Sequence, residues 1–193
     1  MKIISKIGFT VLAVVCATVT MAQTVPTYTT KNASGTTTCE VHFPANPQQQ
    51  VRIVGAIATS DKAASVLSWR TGSTPYTISA TNAAGTTITV SYTNGLAAND
   101  VLVIQKANGT CISGTISSFA NSTNITLAAT TGAQTLPGDE VYKMSAATTI
   151  KVGATTVTYQ GEAIYVGTRG RPVRVVLDGT SACSLDSITA RYE

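Results

Sequence analysis

From Cys39 to its end the chain is a succession of short apolar runs, each cut off by a glycine, a proline or a polar turn. Runs of that length suit strands, because a helix that buries a face needs ten or more residues with apolar positions every three or four. VRIVGAIAT (51–59), SVLSWRTG (65–72), YTIS (76–79) and CISGTISSF (111–119) follow the pattern, and so do TTIKVG, TTVTYQG, EAIYVG, RPVRVVLDG and SITARYE nearer the end. Thr makes up roughly a sixth of the chain, and β-branched side chains pack well on a pleated surface. The reading is therefore all-β: a sandwich or small barrel of ten to twelve short antiparallel strands over residues 39–193. One segment admits a second reading, a helix over Ser60–Trp69 with Ser60 as N-cap. Strands are preferred there because Val66, Leu67 and Trp69 make no long helical stripe and Gly72 ends the run early.

The first residues have a different character. Lys2 and Lys6 precede an apolar run from Ile7 to Val19, followed by Thr20, Met21 and Ala22, the arrangement of a secretory signal peptide over residues 1–22. The run is shorter than a membrane span requires, so export with cleavage is expected, the mature chain having no span and being secreted or held at a cell surface. Residues 23–38 are Thr-rich and lack a core pattern, which predicts a flexible, exposed leader able to pair with a strand elsewhere.

Two segments in the middle resemble each other. TTITVSYTNGLAANDVLVIQ (86–105) and TNITLAATTGAQTLPGDEVYKM (123–144) each have an Ile-Thr-Val/Leu strand, a Thr- and Gly-containing link, a Leu, a polar turn with Asp, and a Val-bearing strand. Ile88 corresponds to Ile125, Leu96 to Leu136 and Asp100 to Asp139. Asn99-Asp100 and Gly138-Asp139 are turn chemistry, since short polar side chains bond nearby amides and Gly tolerates positive φ. This arrangement resembles the small Thr-rich β-barrel modules of phage tail and bacterial surface proteins. The resemblance implies a small barrel at residues 80–145 and carries no activity with it.

Chemistry-bearing residues are few. The chain has one histidine, His42, and no G-x-S-x-G elbow to go with it, so a hydrolytic triad is not expected. Of the acids, Asp100, Asp139 and Asp178 are accounted for by turns, leaving little for a catalytic pair. No metal site is expected, because Cys39 and His42 have nothing to complete a ligand set, and no cofactor fingerprint is present. Without residues 1–22 the chain keeps eleven basic and nine acidic residues, a net +2, which is no footprint for nucleic acid.

Three groups remain as candidate sites. Cys39 and Cys183 stand near the two ends of the exported part, and a disulfide between them would fasten the termini, with Cys111 able to join either partner instead. Trp69 and Tyr76 are candidates for a glycan platform, since flat rings cover the apolar face of a sugar. Arg169, Arg171 and Arg174 around Gly170 and Pro172 could touch a polyanion, or simply form a solvated strand face. The expected function is that of a non-enzymatic exported protein, a structural or adhesive subunit that associates with itself or with another surface protein; the alternative is a carbohydrate-binding module.

Overall fold

A computed structural model describes residues 26–193; the signal peptide expected at 1–22 lies outside the described residues. The described chain has 13 strands and no helix, one strand more than the sequence reading allowed. They lie in two antiparallel sheets.

The smaller sheet has the order β1 (Thr27–Gly35), β13 (Cys183–Tyr192), β3 (Val51–Ser60), β11 (Thr156–Val166). The larger begins with β2 (Thr38–Phe43), β12 (Val173–Asp178) and β4 (Val66–Thr77), and continues through β9 (Glu140–Met144), β6 (Val101–Gln105), β7 (Cys111–Phe119), β8 (Asn124–Leu127) and β5 (Thr87–Thr89). A ninth strand, β10 (Thr148–Lys151), pairs with β4 off this path.

Strand alternation builds a sandwich lobe. Val173, Val175 and Leu177 of β12 face Ile53, Ala56 and Ala58 of β3 across a core that also holds Phe43, Leu67 and Trp69. In β3 the inward positions change parity after Ile53, because Val54 is an extra residue opposite Thr189 and Ala190 of β13. Such a bulge moves every later side chain to the other face, and here it keeps Ala56, Ala58 and Ser60 inside. Outside, Thr pairs occupy facing positions: Thr30 with Thr189 at 3.0 Å and Thr59 with Thr156 at 2.9 Å. The abundant Thr thus serves hydrogen-bonded cross-strand pairs on the solvent face.

The strand β4 joins this lobe to a second one. Its first half pairs with β12, its register breaks between Gly72 and Pro75, and its second half pairs with β9. Residues 60–69, for which a helix was weighed, are the last residue of β3, a turn, and the start of this strand.

The duplicated segments form the second lobe. Ile88 and Ile125, matched by sequence, sit directly opposite each other in β5 and β8, and Val103 and Tyr142 do so in β6 and β9. The copies are therefore related by an approximate two-fold through these two pairs. Their turns are also equivalent: Ala97 N–H donates to Asp100 at 2.7 Å, and Leu136 N–H to Asp139 at 2.9 Å. By this criterion Ala97, and not Leu96, is the counterpart of Leu136. Asn99 and Gly138, each just before the Asp, have φ of 70° and 94°.

The lobe encloses its own core, including Ile78, Ile88, Leu102, Ile104, Ile125 and Val141. The barrel expected at 80–145 is not closed. The sheet curls until the chain just after β5 comes back to the chain just after β4 at an isolated bridge, Val90 with Ile78; β5 is only three residues long and pairs fully with β8 alone.

The Thr-rich leader also departs from expectation. Residues 27–35 are strand β1, paired along β13 from Thr27↔Tyr192 to Gly35↔Cys183, so this part is an ordered member of the sandwich. Gly35 then turns the chain from one sheet to the other. A Cβ there would lie 2.3 Å from the Thr38 carbonyl oxygen, so the corner needs glycine.

Candidate functional site

Alternation along CEVHF sends Cys39, Val41 and Phe43 into the sandwich core and leaves Glu40 and His42 on the opposite face of β2. That face is covered by the hairpin of β6 and β7, so the two polar side chains lie between the lobes. The Ser113 hydroxyl donates to Glu40 Oε1, and Arg174 of β12, opposite His42 in the ladder, donates to Glu40 Oε2 through Nε at 2.9 Å and through Nη2. From β1, Lys31 Nζ donates to the His42 carbonyl at 2.6 Å and lies 5.7 Å from the Phe43 ring centroid. Beside the network opens a cleft of about 410 Å³, walled by Lys31, Glu40, His42 and the turn Asn108–Cys111.

The electrostatics are those of a clamp. Burial lowers the His42 pKa to about 4; Glu40 pulls the other way, and Arg174 and Lys31 add to the lowering. For Glu40, desolvation is the largest single influence and would raise the pKa, yet the Ser113 and Arg174 contacts together outweigh it and hold the carboxyl below its ordinary value. His42 Nε2 is buried without a partner, 3.7 Å from Glu40 Oε1. Near neutral pH the imidazole is thus neutral and the carboxylate charged. Ser113 is bonded to the carboxylate and not to the imidazole, so His42 has no hydroxyl to deprotonate. Cys111, in the same cleft, is pushed up to about 11 by burial, which keeps it a thiol.

A second cleft, of about 700 Å³, opens where β1 and the end of β2 diverge. Thr27, Thr29 and Lys31 line one wall, the loop Pro44–Gln49 the other, and Tyr192 closes the base. Among the described residues no cluster of three or more His, Cys, Asp or Glu side chains is placed to hold a metal ion, and no helix is long and apolar enough to cross a membrane.

The sequence-predicted site residues are dispersed. Trp69 is fully buried, its ring stacked on Tyr165 at 6.2 Å, and cannot serve as a sugar platform. Tyr76 is half-buried in the other lobe, against Tyr92 at 5.1 Å, with its hydroxyl donating to Asn94 O. The platform of Trp69 with Tyr76 therefore does not exist, because the two rings belong to opposite halves of β4 and to different cores. The three arginines make no common patch either. Arg169 donates to Gln48 O, Arg171 lies 6.0 Å from the Tyr142 ring centroid, and Arg174 is consumed by Glu40. Alternation along a strand sends Arg174 inward toward the second lobe, while the other two belong to the preceding loop. Cys39 and Cys183 are free thiols, so the expected bridge is not closed, although both lie in the sandwich core. Sequence reading missed Ser113 as a partner of Glu40 and Lys31 as a donor to the His42 carbonyl. Only the period of two in CEVHF, which puts Glu40 and His42 on one face, hinted at the network.

No protein-family model matches the chain, and no curated protein does. Among solved structures it has a match to VP17, a capsid protein of bacteriophage P23-77, at 12% identity, covering 86% of this chain and 99% of that one. The TM-score is 0.21, a superposition too loose to carry an argument.

Proposed function

We propose that this chain is an exported structural protein, secreted or held at a cell surface, that works by β-strand assembly with further copies of itself or with another surface protein and performs no catalysis. The observation that carries this reading is the edge of the smaller sheet. Strand β1 pairs with β13 on one side and has no strand partner among the described residues on the other. Its run Thr27–Lys31 is regular, borders the larger cleft and carries Tyr28 at 60% exposure. An edge of that kind is a template for another strand. The opposite edge, β11, is interrupted where its register breaks between Gln160 and Tyr165, and an irregular edge resists pairing. Ser113 is bonded to Glu40 and not to the single histidine, and burial keeps the Cys111 thiol of the same cleft protonated, which supports the non-catalytic part of the reading.

Light scattering on the full chain over a wide concentration range tests it. Oligomers are expected, and a strict monomer throughout overturns the proposal. Thr29→Pro and Thr30→Pro locate the contact, because successive amides along a strand face opposite edges. One variant should lose the oligomer with little loss of stability, and the other should weaken the β1–β13 ladder. Equal oligomerisation of both variants and the parent would place assembly elsewhere than β1.

A further inference from the structure

Cys39 and Cys183 stand at the point where the two sheets approach most closely in sequence. Gly35 of β1 is opposite Cys183 in the ladder, and a Cβ built on Gly35 would lie 3.7 Å from the Cys39 Cβ. Facing residues on antiparallel neighbours are about 5 Å apart at Cα, so Cys183 lies across the ladder from Gly35 while Cys39 packs against the same glycine from β2. Both are almost completely buried, at 3% and 4% exposure, and both belong to the sandwich core. Each is the other's thiol neighbour: the Cys39 pKa is raised by burial first and by the Cys183 side chain next. Cys111 is separated from them by β2 itself. It lies in the cleft on the outer face of that strand and packs with Val103, Tyr142 and Met144.

We propose that Cys39 and Cys183 are an oxidisable pair whose closure by a disulfide oxidant ties β2 of one sheet to β13 of the other, leaving Cys111 reduced. The step is thiol–disulfide exchange. The thiolate of one cysteine attacks the oxidant's sulfur and expels one thiol, and the second cysteine then attacks the mixed disulfide and expels the other. The protein's two thiols lose two electrons and two protons, and one oxidant disulfide becomes two thiols. Because both sulfurs are shielded once the sandwich has formed, the bond closes as the chain folds and is then protected. Two sheets that otherwise meet through apolar packing and a few hydrogen bonds, such as Lys31 to the His42 carbonyl and Ser60 to the Asp178 carbonyl, become covalently joined at the corner where β1 turns into β2.

The experiment refolds the full, reduced chain from urea in a buffer of oxidised and reduced glutathione, quenches by alkylation and maps the peptides without reduction. A parallel sample stays in concentrated urea with the same redox buffer. In the native buffer the expected product is one species, two hydrogens lighter, with a Cys39–Cys183 peptide and alkylated Cys111; the urea sample should give mixed pairings. By the loop-closure argument the native bond should resist reductant on the order of a thousand-fold more strongly than the same bond in urea. A statistical mixture in native buffer, a Cys111-linked product, or alkylation of Cys39 and Cys183 after complete refolding would each overturn the proposal. In Cys39→Ser and Cys183→Ser any rise in Tm on oxidation should vanish, while in Cys111→Ser it should persist.

Discussion

Replacing Arg174 by methionine tests whether its pair with Glu40, which ties β12 to β2 beneath the second lobe, acts as a buried clamp or decorates a surface. The Arg174 side chain is 16% exposed and that of Glu40 28%. An exposed ion pair contributes at most about 1 kcal/mol, whereas removing one partner of a buried pair costs about 3–5 kcal/mol, because the remaining charge is left desolvated. The exposures place this pair nearer the buried limit, so Arg174→Met should cost about 2–4 kcal/mol. For a domain of this size that is a fall in Tm of roughly 5–12 °C. Glu40→Leu should cost a similar amount, since it strands the guanidinium and removes the acceptor of Ser113. The double variant removes both charges together and should lose less than the sum, by about 1–3 kcal/mol. Urea unfolding followed by fluorescence reads all three, because the chain has one tryptophan and it is fully buried in the sandwich core. Single-variant losses below about 0.5 kcal/mol, or strictly additive effects, would refute the clamp.

Three other outcomes are expected. Stability should fall as pH drops from the unfolded His42 value of 6.5 toward about 4, because in that window the unfolded chain binds a proton that the folded chain excludes. At ~1.4 kcal/mol per pH step the loss is on the order of 3 kcal/mol. Glu40, whose pKa is depressed on folding, adds a loss in the same direction below its ordinary value; in urea melts against pH, His42→Phe should flatten the upper part of the slope. Trp69→Ala should cost about 3–5 kcal/mol of stability through the cavity it leaves, with sugar binding no different from the parent; a stable variant that had lost glycan binding would contradict its place in the core. In the paired turns, Asp139→Ala should cost about 1–3 kcal/mol, because Asp139 is 3% exposed and accepts from both Leu136 and Ala107. Asp100→Ala, whose carboxylate is partly exposed and paired with the partly exposed Lys143, should cost less by the same unfolding assay.

The local signals in the sequence were largely those of strands, and the structure obeys them. Most of the short runs fold as strands, since period-two alternation and turn chemistry act within a few residues, but Gly72 with Pro75 and Gly161 do not end theirs: 65–72 and 76–79 join in β4, and TTVTYQG and EAIYVG join in β11. The internal duplication was equally legible, down to Ile88 matching Ile125. The two-fold that pairs these residues was not, because nothing in a linear repeat says whether its copies stack, separate or face each other.

Long-range pairing decided the rest. The sequence placed 27–35 in a leader because that stretch has no apolar face of its own, and the structure makes it a strand because β13 offers it an edge. Trp69 read as a platform candidate until the opposite sheet covered it, and Arg174 read as a polyanion contact or a solvated strand face until β7 closed over β2. CEVHF determined by itself that Cys39 and Glu40 face opposite ways. Which partners wait on each side, Cys183 on one and Arg174 with Ser113 on the other, depended on residues more than seventy positions away, whose approach is set by sheet order and not by any neighbour in the chain.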